Sequence, residues 1–184
     1  MNPASNLILV GPMGAGKTTI GKRLAKQFGL RFVDSDHFIE QRTGARVATI
    51  FELEGESGFR QRERQAIAEL CAGEHQLIAT GGGAILDPDN RRIMHERGFV
   101  IWLRTSVLRQ LERLAQDRTR PLLQSGNRRH RLEVMAAQRD PLYAACCDLV
   151  FESEQRKVGA AAERLTRILC QRWQRSPAEP GLPH

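Results

Sequence analysis

The stretch Gly11-Pro12-Met13-Gly14-Ala15-Gly16-Lys17-Thr18-Thr19 comes directly after four apolar residues, Leu7-Ile8-Leu9-Val10. It fits the pattern G-x-x-x-x-G-K-[ST], which carries chemistry only where a strand leads in and a helix leads out. Both flanks are present. Residues 6–10 form a short apolar run, and residues 18–28 set Ile20, Leu24 and Phe28 at helical spacing, with Lys22, Arg23 and Lys26 elsewhere on the wheel. Glycines let such a turn aim several backbone N–H groups at one anion, and the following helix adds the positive end of its dipole. Lys17 can reach the β- and γ-phosphates, and the Thr18 hydroxyl is placed to ligate Mg2+. The motif points to a nucleoside triphosphate and is silent about what receives the phosphate.

The rest of the chain must cover such a strand on both faces. Short strands are expected at residues 6–10, 31–34, 76–80, 99–103 and 149–152. Helices are expected at 18–28, 37–42, 47–54, 57–71, 89–97, 107–116, 131–147 and 159–173, with a break at Pro141. Strands separated by helices pair in parallel, and their continuous apolar runs suit burial on both sides. The fold class is α/β in three layers. Residues 118–129 are polar, carry Pro121 and Gly126, and read as a loop or lid; residues 176–184, with Pro177, Pro180 and Pro183, read as a disordered tail.

Composition narrows the partners. With 184 residues, 41% apolar and 27% charged, one buried domain is the expectation. No apolar run approaches the ~20 residues that cross a membrane. The opening residues 1–6 lack the basic start and apolar core of a secretion signal, so a cytoplasmic protein is expected. Cys71, Cys146, Cys147 and Cys170 show neither CxxC nor metal spacing and read as reduced thiols. The net charge of +7 suggests an anionic partner, and of the 28 basic residues only four are lysines. Aromatics make up 5% and do not interleave with the basic residues as a nucleic-acid stacking platform would, so a polyanionic small molecule fits as well.

Three further clusters carry chemistry. Asp34-Ser35-Asp36 ends the second strand, where an open parallel sheet faces its ligand crevice. An acid there can hold a metal-bound water or accept a proton; equally, Ser35 or Asp36 can cap the next helix. Arg60 and Glu63 lie three apart on one helical face, so the carboxylate can fix the guanidinium. Gly81-Gly82-Gly83 follows the third strand, which suits close approach of a ligand to the backbone. Arg120 and Arg139 precede Pro121-Leu122-Leu123 and Asp140-Pro141-Leu142-Tyr143, but composition alone does not distinguish them from solvated surface arginines.

Taken in order, GPMGAGKTT at 11–19, DSD at 34–36, GESGFRQRE at 55–63, TGGG at 80–83, RPLL at 120–123 and RDPLY at 139–143 resemble the shikimate kinase family over residues 6–170. The resemblance implies a three-layer α/β/α P-loop kinase fold with a five-stranded parallel sheet and a mobile lid. It implies one domain over residues 1–173, a lid at about 112–128, shikimate-binding helices at about 36–62, and a disordered tail at 174–184. The implied reaction is ATP-dependent phosphorylation of the 3-hydroxyl of shikimate with Mg2+, a step toward aromatic amino acids. Asp36, Arg60, Gly82 and Arg139 would bind shikimate, the two arginines gripping its carboxylate and Asp36 accepting the hydroxyl proton. Gly14, Ala15, Gly16, Lys17, Thr18 and Thr19 would wrap the triphosphate. Lys17 and Arg120 would neutralise charge on the transferred group, Thr18 and Asp34 would hold Mg2+, and Arg156 would reach the adenine. A monomer binding neither nucleic acid nor membrane is implied. Rival readings are a kinase of gluconate or of a nucleoside monophosphate, and a basic nucleic-acid-binding module that keeps a nucleotide site.

Overall fold

The computed structural model describes residues 5–115, 127–152 and 158–173. Leu7, Ile8, Leu9 and Val10 are wholly buried because their strand, β1 (Asn6–Val10), is the middle one of the sheet. Among the described residues five strands pair in parallel in the order β2-β3-β1-β4-β5. The other four are β2 (Arg31–Asp34), β3 (Gln76–Ala79), β4 (Gly98–Arg104) and β5 (Leu149–Glu152). From β1 the chain runs to the far edge at β2, returns to β3 beside β1, and then crosses to β4 and β5 on the other side. Such a reversal opens a crevice at the strands' carboxyl ends.

Alternation along β1 divides the core in two. Leu7 and Leu9 face α1 (Lys17–Phe28) and α7 (Val158–Arg172), packing with Leu24, Phe28, Leu165 and Leu169. Ile8 and Val10 face the other layer, with Ile67 of α3 (Val47–Ala72), Met94 of α4 (Pro88–Arg97) and Tyr143 of α6 (Arg128–Cys146). The three layers expected from the sequence are present. Continuous burial, however, is confined to the three inner strands. β5 alternates buried and exposed residues and β2 is only partly covered, because each is an edge.

α2 (Ser35–Thr43) and α3 carry the outer part of the molecule, and α3 bends at Gly55, which sits at φ 70° and ψ −176°. The two helices expected at 47–54 and 57–71 are the two arms of this bend. The break expected at Pro141 is absent: α6 runs through it. Proline removes the hydrogen bond to the carbonyl four residues earlier. Here Ala137 and Pro141 both lie on the exposed face, so water can satisfy that carbonyl. α5 (Val107–Arg113) is shorter than the expected 107–116. Most of the expected lid and the whole tail fall outside the described residues. All four cysteines are free; Cys71 and Cys146 are buried, Cys147 is half-buried and Cys170 exposed. Among the described residues no helix is long and apolar enough to cross a membrane.

Candidate active site

The turn after β1 presses against β4. Gly11 adopts φ 142°, and a Cβ there would sit 2.5 Å from the Leu103 carbonyl oxygen. Only glycine fits. Lys17 lies in the first turn of α1, and its Nζ donates to the carbonyls of Gly11 at 2.7 Å and Pro12 at 2.8 Å. Arg113, at the end of α5, donates from Nη1 to the Gly14 carbonyl at 2.8 Å. The loop thus holds two cations against its own backbone, within reach of an anion bound at the start of α1.

Asp34 at the end of β2 serves two elements at once. Its Oδ1 accepts from the backbone N–H of Asp36 at 3.1 Å and of His37 at 3.4 Å, which caps α2. Its Oδ2 accepts from the Thr18 hydroxyl at 2.9 Å. The cap of α2 is therefore Asp34 rather than Ser35 or Asp36. An aspartate at the strand end can accept from both N–H groups, which places Asp36 inside the first turn. Ser35 is buried instead, its Oγ accepting from the Gly81 N–H at 3.0 Å. That bond ties α2 to the triple glycine.

Four charged side chains converge on Gly81-Gly82-Gly83. A Cβ on Gly81 would lie 2.7 Å from both Asp36 Oδ1 and Glu63 Oε1, and one on Gly83 would run into the Arg60 guanidinium. Arg60 donates from Nη1 to Glu63 Oε2 at 2.7 Å and from Nη2 to Glu56 Oε1 at 3.0 Å, as their helical spacing on α3 predicts. Arg139 of α6, 6% exposed, donates from Nη1 to the Gly82 carbonyl at 3.3 Å, and its buried Nε has no hydrogen-bond partner. Gly82 in turn lies against the phosphate loop: a Cβ there would be 3.5 Å from the Gly11 oxygen and the Met13 nitrogen. The carboxylate-and-arginine cluster and the phosphate loop share one wall.

Burial sets the electrostatics. Glu63 is 1% exposed, and burial pushes its carboxyl up to about 7 against the charge and hydrogen bond of Arg60. The nearby Asp36 adds to that rise and Arg139 opposes it. Burial also lowers Arg60, but its pairing with Glu63 and Glu56 outweighs this and leaves it above its ordinary value. Arg139 is held below its ordinary value by burial, partly offset by Tyr143, with the Arg60 charge lowering it further. The crevice holds two arginines, Arg60 paired with Glu63 and Glu56 and Arg139 only loosely satisfied.

Of the residues expected from the sequence, the structure brings Lys17, Thr18, Asp34, Asp36, Arg60, Gly82 and Arg139 to this crevice, with Gly14, Ala15, Gly16 and Thr19 in or beside the loop. Arg120 and Arg156 lie outside the described residues. Sequence reasoning gave no role to Tyr143 or Arg113 and saw Ser35 only as a helix cap. Tyr143 donates from its hydroxyl to the Gly82 carbonyl at 2.6 Å. Its spacing of one helical turn from Arg139 was the signal for that role. Among the described residues no group of three or more His, Cys, Asp or Glu side chains could hold a metal. Thr18 and Asp34 offer instead one hydroxyl and one carboxylate, hard oxygen donors of the sort that bind Mg2+ together with substrate phosphates.

A family model described as shikimate kinase matches residues 13–170. A shikimate kinase of Stenotrophomonas maltophilia (strain R551-3) is 54% identical over 175 residues, covering 95% of this chain and 97% of its own. The solved structure of shikimate kinase from Acinetobacter baumannii in complex with shikimate is 43% identical with a TM-score of 0.88, covering 91% of this chain and 94% of its own. That of Bacteroides thetaiotaomicron shikimate kinase is 32% identical with a TM-score of 0.82, covering 89% and 97%. The phosphate loop, the DSD cap and the triple glycine share one crevice, and the likeness runs over nearly the whole chain: this protein belongs to the shikimate kinase family.

Proposed function

We propose that the protein transfers the γ-phosphoryl group of ATP to the 3-hydroxyl of shikimate, giving ADP and 3-phosphoshikimate. The observation that carries this reading is the meeting of Arg60 and Arg139 with Asp36 at a triple glycine that backs onto the phosphate loop. Two arginines there suit a carboxylate, which a guanidinium fork can grip in two parallel bonds and so orient. An aspartate beside them suits a hydroxyl.

The ring is held by Arg60 and Arg139 so that its 3-hydroxyl meets Asp36, which binds it and accepts its proton as the oxygen attacks phosphorus in line. A bond forms between that oxygen and the γ-phosphorus, the bond to the bridging oxygen breaks, and ADP leaves. Lys17, drawn from the Gly11 and Pro12 carbonyls toward the phosphates, neutralises charge on the transferring group, with Arg120 as a second cation. Residues 14–19 would wrap the triphosphate, and Arg156 is the residue we assign to the adenine. Thr18 and Asp34 would hold Mg2+, which would offset the negative charge of the phosphates. The protein contributes positioning and charge, and the lid at about 112–128 excludes water that would hydrolyse ATP. A cytoplasmic monomer that binds neither nucleic acid nor membrane completes the reading.

A coupled assay of ADP release over shikimate, gluconate and AMP tests it. Turnover with shikimate alone is expected; turnover with gluconate or AMP and none with shikimate would reject it.

A further inference from the structure

The Gly82 carbonyl accepts two hydrogen bonds of unequal quality. Tyr143 donates to it at 2.6 Å, at the short end of the O–H···O range, whereas Arg139 Nη1 donates at 3.3 Å, beyond the usual N–H···O distance. The two side chains sit one turn apart on α6 and so reach the same oxygen from one helix face. Tyr143 is fixed in place: it is buried, and its ring stacks on Trp102 with centroids 5.5 Å apart. Burial also raises its phenol, so it remains a donor throughout the neutral range.

Arg139 is held far less firmly. One of its N–H groups leans on a backbone carbonyl while its buried Nε has no hydrogen-bond partner. A carboxylate received by two parallel bonds needs that fork turned toward it. If Arg139 were the carbonyl's sole donor, turning would strand a polar backbone group inside the protein, which is costly.

We infer that Tyr143 is a positioning residue: it holds the Gly82 carbonyl so that Arg139 can turn its guanidinium to the acceptor's carboxylate without leaving that carbonyl unpaired. The same bond sets the neighbouring wall. No described peptide bond is cis, so a pinned Gly82 carbonyl sends the Gly83 N–H the opposite way, and Arg60 packs against the Gly83 α-carbon. The inference rests on the proposed role of Arg139 at the substrate carboxylate.

Tyr143→Phe in the full-length protein keeps the ring and its stack and removes only the hydroxyl. At saturating ATP it should raise the KM for shikimate about tenfold, with the KM for ATP and the kcat each moving less than about threefold. On an Arg139→Ala background the same change should shift the shikimate KM less than about twofold, because the arginine it positions is gone. A wild-type KM in Tyr143→Phe, or an equal rise on both backgrounds, would overturn the inference. Should that variant fail to fold, the chain's single tyrosine offers a direct probe, since 3-fluorotyrosine labels this site alone. Saturating shikimate without ATP should move its 19F resonance in the wild type; an unmoved resonance overturns the inference. Failure of the functional proposal looks different, because wild-type protein would then not turn over shikimate at all.

Discussion

The Thr18 hydroxyl donates to Asp34 Oδ2 at 2.9 Å, joining the first turn of α1 to the end of β2. The other oxygen of the same carboxylate caps α2 and so fixes the turn that carries Asp36. One aspartate therefore sets the proposed metal ligand and the proposed proton acceptor in a common frame. Asp34→Asn keeps an acceptor for the cap but drops the charge. The Mg2+ concentration giving half-maximal rate should rise about tenfold, with little loss of thermal stability. A Mg2+ titration of the initial rate checks this, and an unchanged midpoint would remove Asp34 from the metal.

Lys17 should act on the chemical step. Lys17→Ala is expected to lower kcat by roughly 100-fold or more, because a charge at the transferring phosphate is lost. Steady-state kinetics at saturating ATP and shikimate give the comparison; a kcat within a few-fold of wild type would contradict the role.

Gly83 has φ −96°, which any residue tolerates, so an alanine there strains no backbone. Its Cβ would instead displace the Arg60 guanidinium. Gly83→Ala should therefore raise the shikimate KM by about tenfold or more and leave the KM for ATP unchanged. Equal effects on both substrates would show that the displacement disturbs more than the acceptor pocket.

Glu63 makes stability depend on pH in an unusual direction. Its carboxyl is raised from 4.5 to about 7 by burial, so between those values the folded protein holds a proton that the unfolded chain has released. The resulting stabilisation is present in full below about 4.5, declines as pH rises through the window, and is gone above about 7. Arg60, Asp36 and Arg139 are the charges that face it. Melting temperatures should fall more steeply from pH 5 to pH 8 in wild type than in Glu63→Gln, whose amide does not titrate. Parallel profiles would contradict the raised value.

Much of this architecture was legible before any coordinates. β1, β2 and β5 begin and end where their apolar runs do, because a short strand between helices leaves few other placements for such residues. The bend at Gly55 was signalled by the glycine itself. Other features depend on what packs where. The continuity of α6 through Pro141 requires an exposed face for the freed carbonyl, which local pattern does not reveal. The raised Glu63 requires burial by the segment after β3, and Tyr143 finds its acceptor 61 residues away on a backbone carbonyl. The cap expected at Ser35 or Asp36 falls on Asp34 instead, because Asp and Ser are both competent caps and only the geometry of the strand end chooses the position.

The most direct test is a crystal structure with shikimate and Mg2+–ADP bound together. The account predicts the shikimate carboxylate between Arg60 and Arg139, its 3-hydroxyl against Asp36, and the diphosphate in the turn at residues 11–16. Shikimate bound elsewhere, or held with its carboxylate away from both arginines, would contradict it.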